Sequence, residues 1–464
     1  MTVELATTLR RKVAEDLASA SEDELDELDR REFARERIYA HLDELSGDGV
    51  HGPSGGRSAA DEQHLAQSVL DALFGLGQLQ ALIDDPEIEN IDVNGCDRVW
   101  VTFADGSKRL SEPVAGSDAE LVEILRSAAS RVGLSERRFD TGCPELDLRL
   151  PDGSRLSALM AVAARPAVSI RRHRYSDLSL ADLVDLATMD PGIASLLGAA
   201  VRARKNIVVA GAMNAGKTTL LRALASEISP RERIVTIEQA FELGLDSTPD
   251  RHPDMVALEA RPPNVEGEGQ ISVAALVRRA LRMNADRVIV GEVLGDEILP
   301  MLNAMSQGRS GSMCTVHANS SAGVFRRIAS YAVQSPERLP LEATNLLIAG
   351  AVHLVVFLDT DAHDGDGSGS GRAAGGLGWS LADRFDPDPE RPGFAAPGRR
   401  SRFVSSIREV VDAEGVQVVS NELYHPGPDR RATLGAPLRA ETLRELLAFG
   451  YEPALVSAAQ GGRR

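Results

Sequence analysis

The feature that most constrains this chain is a loop bounded by glycines that contains a lysine. It runs from Gly211 to Thr219 and reads Gly-Ala-Met-Asn-Ala-Gly-Lys-Thr-Thr. The apolar run 206–210 precedes it, and a helix-forming run, 220–225, follows it. A strand, a glycine-rich turn and a helix in this order form a phosphate loop, in which backbone N–H groups and the positive end of the helix surround an anion. The motif therefore predicts a nucleoside triphosphate site.

The loop assigns a role to each of its positions. We expect its backbone to bind phosphate oxygens, Lys217 to reach the β- and γ-phosphates, and Thr218 to hold Mg²⁺. Only four lysines occur in the chain, so composition does not explain a lysine at this position, and a turn that merely caps a helix would not need one. A compact ammonium fits between phosphates where a planar guanidinium does not. The predicted nucleotide-binding residues of the loop are Gly211, Ala212, Met213, Asn214, Ala215, Gly216, Lys217, Thr218 and Thr219.

Length and charge limit the remaining possibilities. A chain of 464 residues with 43% hydrophobic and 26% charged residues is typical of a globular protein of two or three domains. Its formal charge of −18 argues against sequence-independent binding to duplex nucleic acid over a broad surface. We therefore expect no direct contact with nucleic acid.

The cysteines and the apolar runs indicate the compartment. Cys96, Cys143 and Cys314 lie far apart in sequence, without the spacing of a zinc site or a disulfide framework, as is typical of a reducing cytoplasm. The longest apolar run, 346–358, is too short to span a bilayer, and the first residues do not resemble a secretory signal. We expect a cytoplasmic protein that reaches a membrane through a partner.

Composition and periodicity divide the chain into five segments. An acidic run at 22–29 is interpreted as a solvated helix face, with a partner-docking arm as the alternative. The predicted segments are a helical arm with a flexible linker (1–60), a small α/β domain (61–174), a phosphate-loop ATPase domain (175–360), a disordered insertion rich in Gly, Asp and Pro (361–402), and a C-terminal hairpin with a helical tail (403–464).

Three predicted buried strands end in titratable residues: Glu238, Glu292 and His317. In an open α/β sheet, ligands bind at the carboxyl ends of the strands. We therefore predict these three as catalytic residues, with Glu292 orienting the attacking water and His317 sensing the γ-phosphate or polarising the water. Glu242, and also Glu238, are candidates for Mg²⁺ or its waters. The alternatives are a helix cap for Glu292 and a satisfied core histidine for His317.

Phosphoryl transfer also needs a positive charge beside the γ-phosphate to neutralise it, which an arginine of a neighbouring subunit can supply. Arg155, Arg171 and Arg172 are our first choices because they lie at predicted strand ends of the preceding domain. Arg155 and Arg171 are therefore counted among the predicted nucleotide-binding residues. Surface salt bridges are the alternative for each of them.

Several motifs in fixed order make the chain resemble the secretion ATPase superfamily of type II and type IV secretion motors. It is most similar to the tight-adherence pilus branch (CpaF-type) of that superfamily, over about residues 65 to 360 and more loosely over 403 to 424. Besides the phosphate loop, the motifs are Asp-Pro-Glu-Ile-Glu-Asn-Ile-Asp-Val-Asn-Gly at 85–95, the acidic box at 233–243, Arg-Pro-Pro-Asn-Val-Glu-Gly at 261–267, Gly-Glu-Val at 291–293 and the histidine box at 311–319.

The resemblance implies an α/β fold with a C-terminal RecA-like P-loop NTPase domain, preceded by a smaller α/β domain and a helical arm. It also implies a homohexamer at the inner face of the cell membrane that binds ATP and Mg²⁺ and drives pilus assembly or secretion. The implied partner is a polytopic inner-membrane platform protein. By match, Glu292 is the Walker B glutamate, Glu238 and Glu242 belong to the acidic box, and His317 belongs to the histidine box.

The chain departs from that pattern at two positions. Gln239 stands where the acidic box usually has aspartate, and Leu294 stands where arginine usually follows Gly-Glu-Val. The departures suggest an alternative to a secretion motor, an ATP-binding regulator with little turnover. A second alternative is a conjugative DNA-transfer ATPase of the same superfamily, which has the same ATPase core.

Overall fold

The computed structural model describes residues 2–19, 27–47, 59–103, 107–132, 138–172, 178–261, 263, 267–306, 310–361 and 401–456. The predicted linker after Gly47, most of the acidic run and nearly all of the predicted insertion lie outside the described residues. The chain forms two compact units, Met1–Arg174 and Tyr175–Arg464. Both combine helices and sheets, so the predicted mixed α/β class is confirmed.

The first unit begins with three helices that share one apolar core. They are α1 (Thr2–Ser19), α2 (Glu27–Gly47) and α3 (Ala59–Phe74). Apolar residues three or four positions apart give each helix one buried stripe, and Leu9, Ile38 and Val69 meet in the common core. α3 begins at Ala59, next to the predicted boundary at residue 60, and packs with the two helices before it, whereas the division of the chain into five segments stays a prediction.

The rest of the first unit is an antiparallel sheet covered by helices. Its strands follow the order β3-β2-β1-β6-β5-β4. Buried and exposed residues alternate along β4 and β5, which places one face of the sheet on a core that includes Leu121 and Leu125 of α5. The elements are α4 (Gln78–Asp84), β1 (Ile88–Asn94), β2 (Val99–Phe103), β3 (Lys108–Ser111), α5 (Asp118–Val132), β4 (Glu145–Arg149), β5 (Arg155–Leu159) and β6 (Ala167–Arg171).

The second unit contains a nine-stranded sheet with helices on both faces. Its elements are α6 (Leu180–Asp185), α7 (Pro191–Arg202), β7 (Ile207–Gly211), α8 (Lys217–Ala225), β8 (Ile234–Glu238), β9 (Met255–Glu259), α9 (Val273–Ala280), β10 (Arg287–Val293), α10 (Ile298–Ser306), β11 (Met313–His317), α11 (Gly323–Gln334), α12 (Leu341–Ala351), β12 (Leu354–Asp361), β13 (Ser401–Glu414), β14 (Gln417–Pro426), β15 (Ala432–Leu434) and α13 (Ala440–Ala448). The strand order is β15-β14-β13-β12-β7-β11-β10-β8-β9.

Six neighbouring strands of this sheet, from β12 to β9, are parallel. Every residue of β7 and β8 is buried, which explains their continuous apolar and β-branched sequences, because helices cover both faces. Parallel pairing brings the carboxyl ends of β7, β11, β10 and β8 to one edge of the sheet. The residues that follow or end these strands therefore form the candidate site.

The C-terminal segment continues the same sheet rather than forming a separate piece. β13 pairs antiparallel with β12 from Asp361 opposite Ser401 to Leu354 opposite Glu409, and β14 pairs with β13. Leu446 of α13 packs into the core beneath the sheet. The predicted segment at 403–464 is thus part of the second unit, because its apolar residues complete that core.

A buried asparagine joins three elements just before the phosphate loop. Asn206 is fully buried, and its Oδ1 accepts hydrogen bonds from the N–H groups of Gly311 (2.7 Å) and Ser312 (3.0 Å). Its Nδ2 donates to the carbonyls of Met305 (2.9 Å) and Ala351 (2.6 Å). Both polar atoms of the amide are therefore satisfied, and β7 begins at a fixed place relative to β11.

His353, beside Asn206, makes the stability of this unit depend on pH. Burial lowers the pKa of His353 to about 4, and its Nδ1 accepts a hydrogen bond from the Asn206 N–H at 3.0 Å. In the unfolded chain the pKa of a histidine side chain is about 6.5. Because the folded-state pKa is the lower one, the free energy of unfolding falls as the pH drops from about 6.5 to about 4, and this group has no effect above that window.

We expect His353→Asn to weaken this dependence, because its Oδ1 can accept the same hydrogen bond but does not titrate. The thermal midpoint of the wild type should fall more steeply between pH 6.5 and 4 than that of the variant. In this range the wild type takes up to about one more proton on unfolding than the variant does. Above pH 7 the two midpoints should run parallel. Equal slopes below pH 6.5 would show that His353 does not titrate with folding.

Candidate active site

The phosphate loop has the backbone shape that its glycines suggest. Gly216 has φ 88° immediately before α8, in the left-handed region that favours glycine. At Gly211 an added Cβ would lie 2.7 Å from the carbonyl oxygen of Leu358, so a larger residue would displace β12. The N-cap residue of α8 is Gly216, which has no side chain to cap the first turn. The loop therefore fits a phosphate group, which the unpaired N–H groups of a helix N-terminus can bind.

Lys217 crosses the loop and contacts the next strand. Its side chain is buried, and Nζ donates to the carbonyl of Ala212 at 2.9 Å. Nζ also lies 3.1 Å from Nδ1 of His317, the last residue of β11. Nε2 of His317 contacts Oε1 of Glu292 near the end of β10. A chain of three side chains thus runs from the phosphate loop to the glutamate, in the order Lys217, His317, Glu292.

The protonation of His317 follows from these neighbours. Burial and then the positive charge of Lys217 lower its pKa, and the opposing effect of Glu292 is smaller. A neutral imidazole has one donor and one acceptor nitrogen. Because the Lys217 ammonium can only donate, Nδ1 accepts from it and Nε2–H donates to the Glu292 carboxylate. His317 therefore orients Glu292 and connects it to the lysine.

Glu238 does not join this chain. It is 3% exposed, and its Oε2 accepts hydrogen bonds from the N–H groups of Glu242 and Leu243, each at 2.8 Å. Burial raises the pKa of Glu238 to about 7. In this structure the carboxyl group of Glu238 holds the turn that follows β8. Its predicted catalytic role stays a prediction.

The metal candidates are Thr218, at the start of α8, and Glu242. Within the described ranges, no group of three or more His, Cys, Asp or Glu side chains is placed to hold a metal ion. Mg²⁺ commonly takes one or two protein ligands and fills its other positions with water and substrate phosphates. The donor set therefore fits a metal that arrives with a nucleotide, and its use of Thr218 and Glu242 stays a prediction.

Residues 73–365 match the model of the family described as "Type II/IV secretion system protein". The match covers more than half of the 464 residues. The chain belongs to this family. The predicted membership of the type II/IV secretion ATPase superfamily is thereby confirmed, whereas the tight-adherence branch stays a prediction.

Individual members of the type II/IV secretion family show how far the similarity extends. A Mycobacterium tuberculosis protein named "Putative conjugal transfer protein" is 36% identical over 298 residues, which cover 62% of this chain and 81% of the relative. The type IV secretion system protein PtlH homolog of Bordetella bronchiseptica is 30% identical over 317 residues, covering 63% and 91%. The crystal structure of the Brucella suis VirB11 ATPase with sulphate shares 26% identity and covers 62% of this chain and 92% of that one, with a TM-score of 0.32.

The relatives also bear on the predicted function. They are named for type IV secretion and for conjugal transfer, and the matching family is that of type II/IV secretion proteins. The predicted role in a type II/IV-like secretion system is therefore confirmed, whereas pilus assembly stays a prediction. Within the described part of the chain, no helix has the length and apolar character needed to cross a bilayer.

Two of the three predicted arginines of the first unit, Arg155 and Arg171, lie in one row with Arg149. Arg155 of β5 is directly opposite Arg171 of β6, and Arg149 of β4 is directly opposite Arg155. Directly opposite residues of an antiparallel pair share a face of the sheet. Arg172 instead donates to main-chain carbonyls at the beginning of β1, which is a structural role. The nucleotide-binding role of Arg155 and Arg171 stays a prediction.

Sequence reasoning missed two arginines of the second unit. Arg402 of β13 donates from Nε to the carbonyl of Asn214, inside the phosphate loop, at 3.0 Å. Arg327 of α11 adds a smaller positive influence to burial and Lys217 in lowering the pKa of His317. Arg327 lies ten residues after His317, which is a usable signal in sequence. Arg402 lies 188 residues after Asn214 in sequence, and only the pairing of β12 with β13 shows that the two residues are close.

Proposed function

We propose that this chain is an ATP-hydrolysing motor of a secretion or pilus-assembly system. The observation that carries the proposal is the contact chain from Lys217 in the phosphate loop through His317 to Glu292. It connects the group that would bind phosphate to a carboxylate that can accept a proton. Membership of the type II/IV secretion family supports the same conclusion.

Each group of the chain has a defined task in this proposal. The loop backbone and Lys217 bind the phosphates of ATP, and the Thr218 hydroxyl holds Mg²⁺. When bound, Mg²⁺ neutralises charge on the phosphate oxygens. Glu292 orients a water molecule and accepts its proton, and His317 holds the Glu292 carboxylate in place. Because phosphate is a stronger acceptor for an ammonium than a carbonyl or an imidazole, ATP competes with His317 for Lys217. Nucleotide binding and Glu292 are thereby coupled.

We further propose a ring of six copies at the inner face of the cell membrane, working with a polytopic membrane protein. The resemblance to secretion motors supports this arrangement, in which Arg155 or Arg171 of a neighbouring copy stays the predicted source of positive charge for the nucleotide. Light scattering of the purified protein with and without ATP and Mg²⁺ tests the ring. A monomer under all these conditions contradicts it.

Substitution of the loop lysine tests nucleotide binding. Lys217→Ala is expected to weaken ATP binding by about 10- to 100-fold, because it removes a charge-assisted hydrogen bond worth roughly 1.5–3 kcal/mol. Lys217→Arg should restore little, since a planar guanidinium does not fit between phosphates. Isothermal titration with ATP and Mg²⁺ measures both. Lys108→Ala, which removes an exposed lysine of the first unit, is the matched control. Equal affinity in Lys217→Ala and Lys108→Ala would contradict the assignment.

A DNA-transfer motor is the second candidate, because one relative carries a conjugal-transfer name. Stimulation of ATP hydrolysis by single- or double-stranded DNA at physiological salt would favour it. The charge of −18 leads us to expect no stimulation.

The third candidate function is a regulator that binds ATP without turnover. It requires that ATP hydrolysis stay absent when membrane partners are supplied.

A further inference from the structure

The phosphate loop is held from outside by a residue that no motif of the loop includes. Arg402 lies near the start of β13, two strands away from the strand that leads into the loop. Its Nε donates to the carbonyl oxygen of Asn214 at 3.0 Å, across 188 positions of sequence. Its Cδ would lie 3.3 Å from a Cβ built on Gly216. The arginine side chain thus binds the loop at Asn214 and lies beside it at Gly216.

The phosphate loop is exposed and has an unusual backbone conformation, so a contact that holds it in place is important. Its residues 212–214 are exposed, and Met213 is 76% exposed. Asn214 has φ 62° and Gly216 has φ 88°, so the loop contains two residues in the left-handed region, one of which has a side chain. A left-handed non-glycine residue persists when its surroundings hold it. The start of the loop packs on Leu358 and its base is crossed by Lys217, whereas Arg402 holds its middle.

The position of Arg402 is itself fixed. Arg402 is directly opposite Thr360 of β12, next to the pair of Asp361 with Ser401. The Ser401 hydroxyl donates to Asp361 at 2.8 Å. Arg430 donates to Asp361 and to the carbonyl of Thr360, each at 3.0 Å. The beginning of β13 is therefore anchored on β12, and Arg402 reaches the loop from a defined register.

We propose that Arg402 is a positioning residue of the nucleotide site, which holds the phosphate loop in its phosphate-accepting shape through the Asn214 carbonyl. The inference rests on the proposed function, because it assigns the loop to ATP. If only a fraction of the molecules hold the loop in the competent shape, apparent affinity falls by that fraction while the chemical step is unchanged. Loss of the contact should therefore raise KM and spare kcat.

Three substitutions separate the hydrogen bond from the charge. Arg402→Gln places an N–H donor at the position of the arginine Nε without a charge. Arg402→Met fills the same volume without a donor, and Arg402→Lys keeps a charge but moves the donor. We expect Arg402→Met and Arg402→Lys to raise the KM for ATP and the Kd for a fluorescent ATP analogue by about tenfold, with kcat changed by less than about twofold. Arg402→Gln should stay within about twofold of the wild type.

Arg444→Met is the matched control, because Arg444 also donates from Nε to a main-chain carbonyl, that of Ala440, but on an exposed face of α13. It should leave both constants unchanged. Thermal unfolding is measured for every variant, since a merely structural arginine would lower the midpoint in Arg402→Gln as much as in Arg402→Met. If Arg402→Lys behaves as the wild type and Arg402→Gln does not, Arg402 acts by its charge and the proposal is wrong.

The wild type and Lys217→Ala in the same assays separate this inference from the proposed function. A wild type that binds and hydrolyses ATP, with Arg402→Met equal to it, overturns only the role of Arg402. A wild type that binds the fluorescent analogue but never hydrolyses ATP counts against the motor, and the Kd values still decide the role of Arg402. A wild type that binds no nucleotide overturns both.

Discussion

Replacing Glu292 with glutamine is expected to lower the kcat for ATP hydrolysis by about 10² to 10⁴, the contribution typical of a positioned general base. The amide oxygen of glutamine can still accept the hydrogen bond from Nε2 of His317, so the shape of the site is kept. It cannot accept a proton from water. The Kd for ATP should therefore change by less than about threefold, because Lys217 and the loop are untouched.

The geometry argues against the alternative in which Glu292 is only a helix cap. Glu292 lies within β10, and the turn that follows is capped by Glu297, whose carboxylate accepts from the N–H groups of Leu294 and Gly295. Steady-state hydrolysis and analogue binding are measured for Glu292→Gln and for Glu337→Gln, an exposed control on the same unit. Unchanged turnover in Glu292→Gln would leave the site without its base and would contradict the proposed mechanism.

Removal of the buried arginine at the start of β10 is expected to destabilise the second unit by about 3–5 kcal/mol, as when one partner of a buried ion pair is lost. Arg287 is fully buried, and its Nε and Nη2 donate to the two carboxylate oxygens of Glu232 at 2.7 and 2.8 Å. Its Nη1 donates to the carbonyls of Val201 (2.8 Å) and Gly311 (3.3 Å). Arg287→Met fills the space but leaves Glu232 and two carbonyls without these donors.

A double variant distinguishes the loss of an ion pair from the loss of packing. In Arg287→Met with Glu232→Gln the negative charge of the partly buried Glu232 is also gone, so part of the destabilisation should be recovered. Denaturant unfolding of the wild type, both single variants and the double variant gives the coupling energy. Additive effects, within about 0.5 kcal/mol, would show that the pair does not act as a unit. Burial opposes ionisation of Glu232, but Arg287 and Arg204 outweigh it and lower its pKa, so acid should weaken the same pair.

The sequence predicted those parts of the site that depend on local pattern. The loop from Gly211 to Thr219 and the strands that end at Glu238 and His317 follow from short motifs and from runs of apolar residues. Each such strand is buried on both faces, so its composition reports its environment directly. The approach of His317 to Lys217 then follows from parallel pairing, in which His317 is opposite Gly211.

The remaining features depend on packing between distant segments, which no local pattern encodes. The side chain of Glu238 accepts hydrogen bonds from two N–H groups of the turn that follows β8, a contact that its sequence motif does not predict. Arg402 reaches the loop only because β13 pairs with β12. In a chain rich in arginine, composition does not single out one that binds a main-chain carbonyl. α3 joins the helices before it because its apolar stripe completes their core.

The pairing of Asp361 with Ser401 has a consequence for how this protein can vary. The two residues are neighbours in the sheet although 39 residues separate them in sequence, and the eight paired positions of β12 fix their separation. Because strand side chains alternate between the two faces of a sheet, a shift of this register by one residue would move Arg402 to the opposite face, away from the Asn214 carbonyl. A substitution that changes the register of β13 can therefore alter the phosphate loop without touching any residue of its motif.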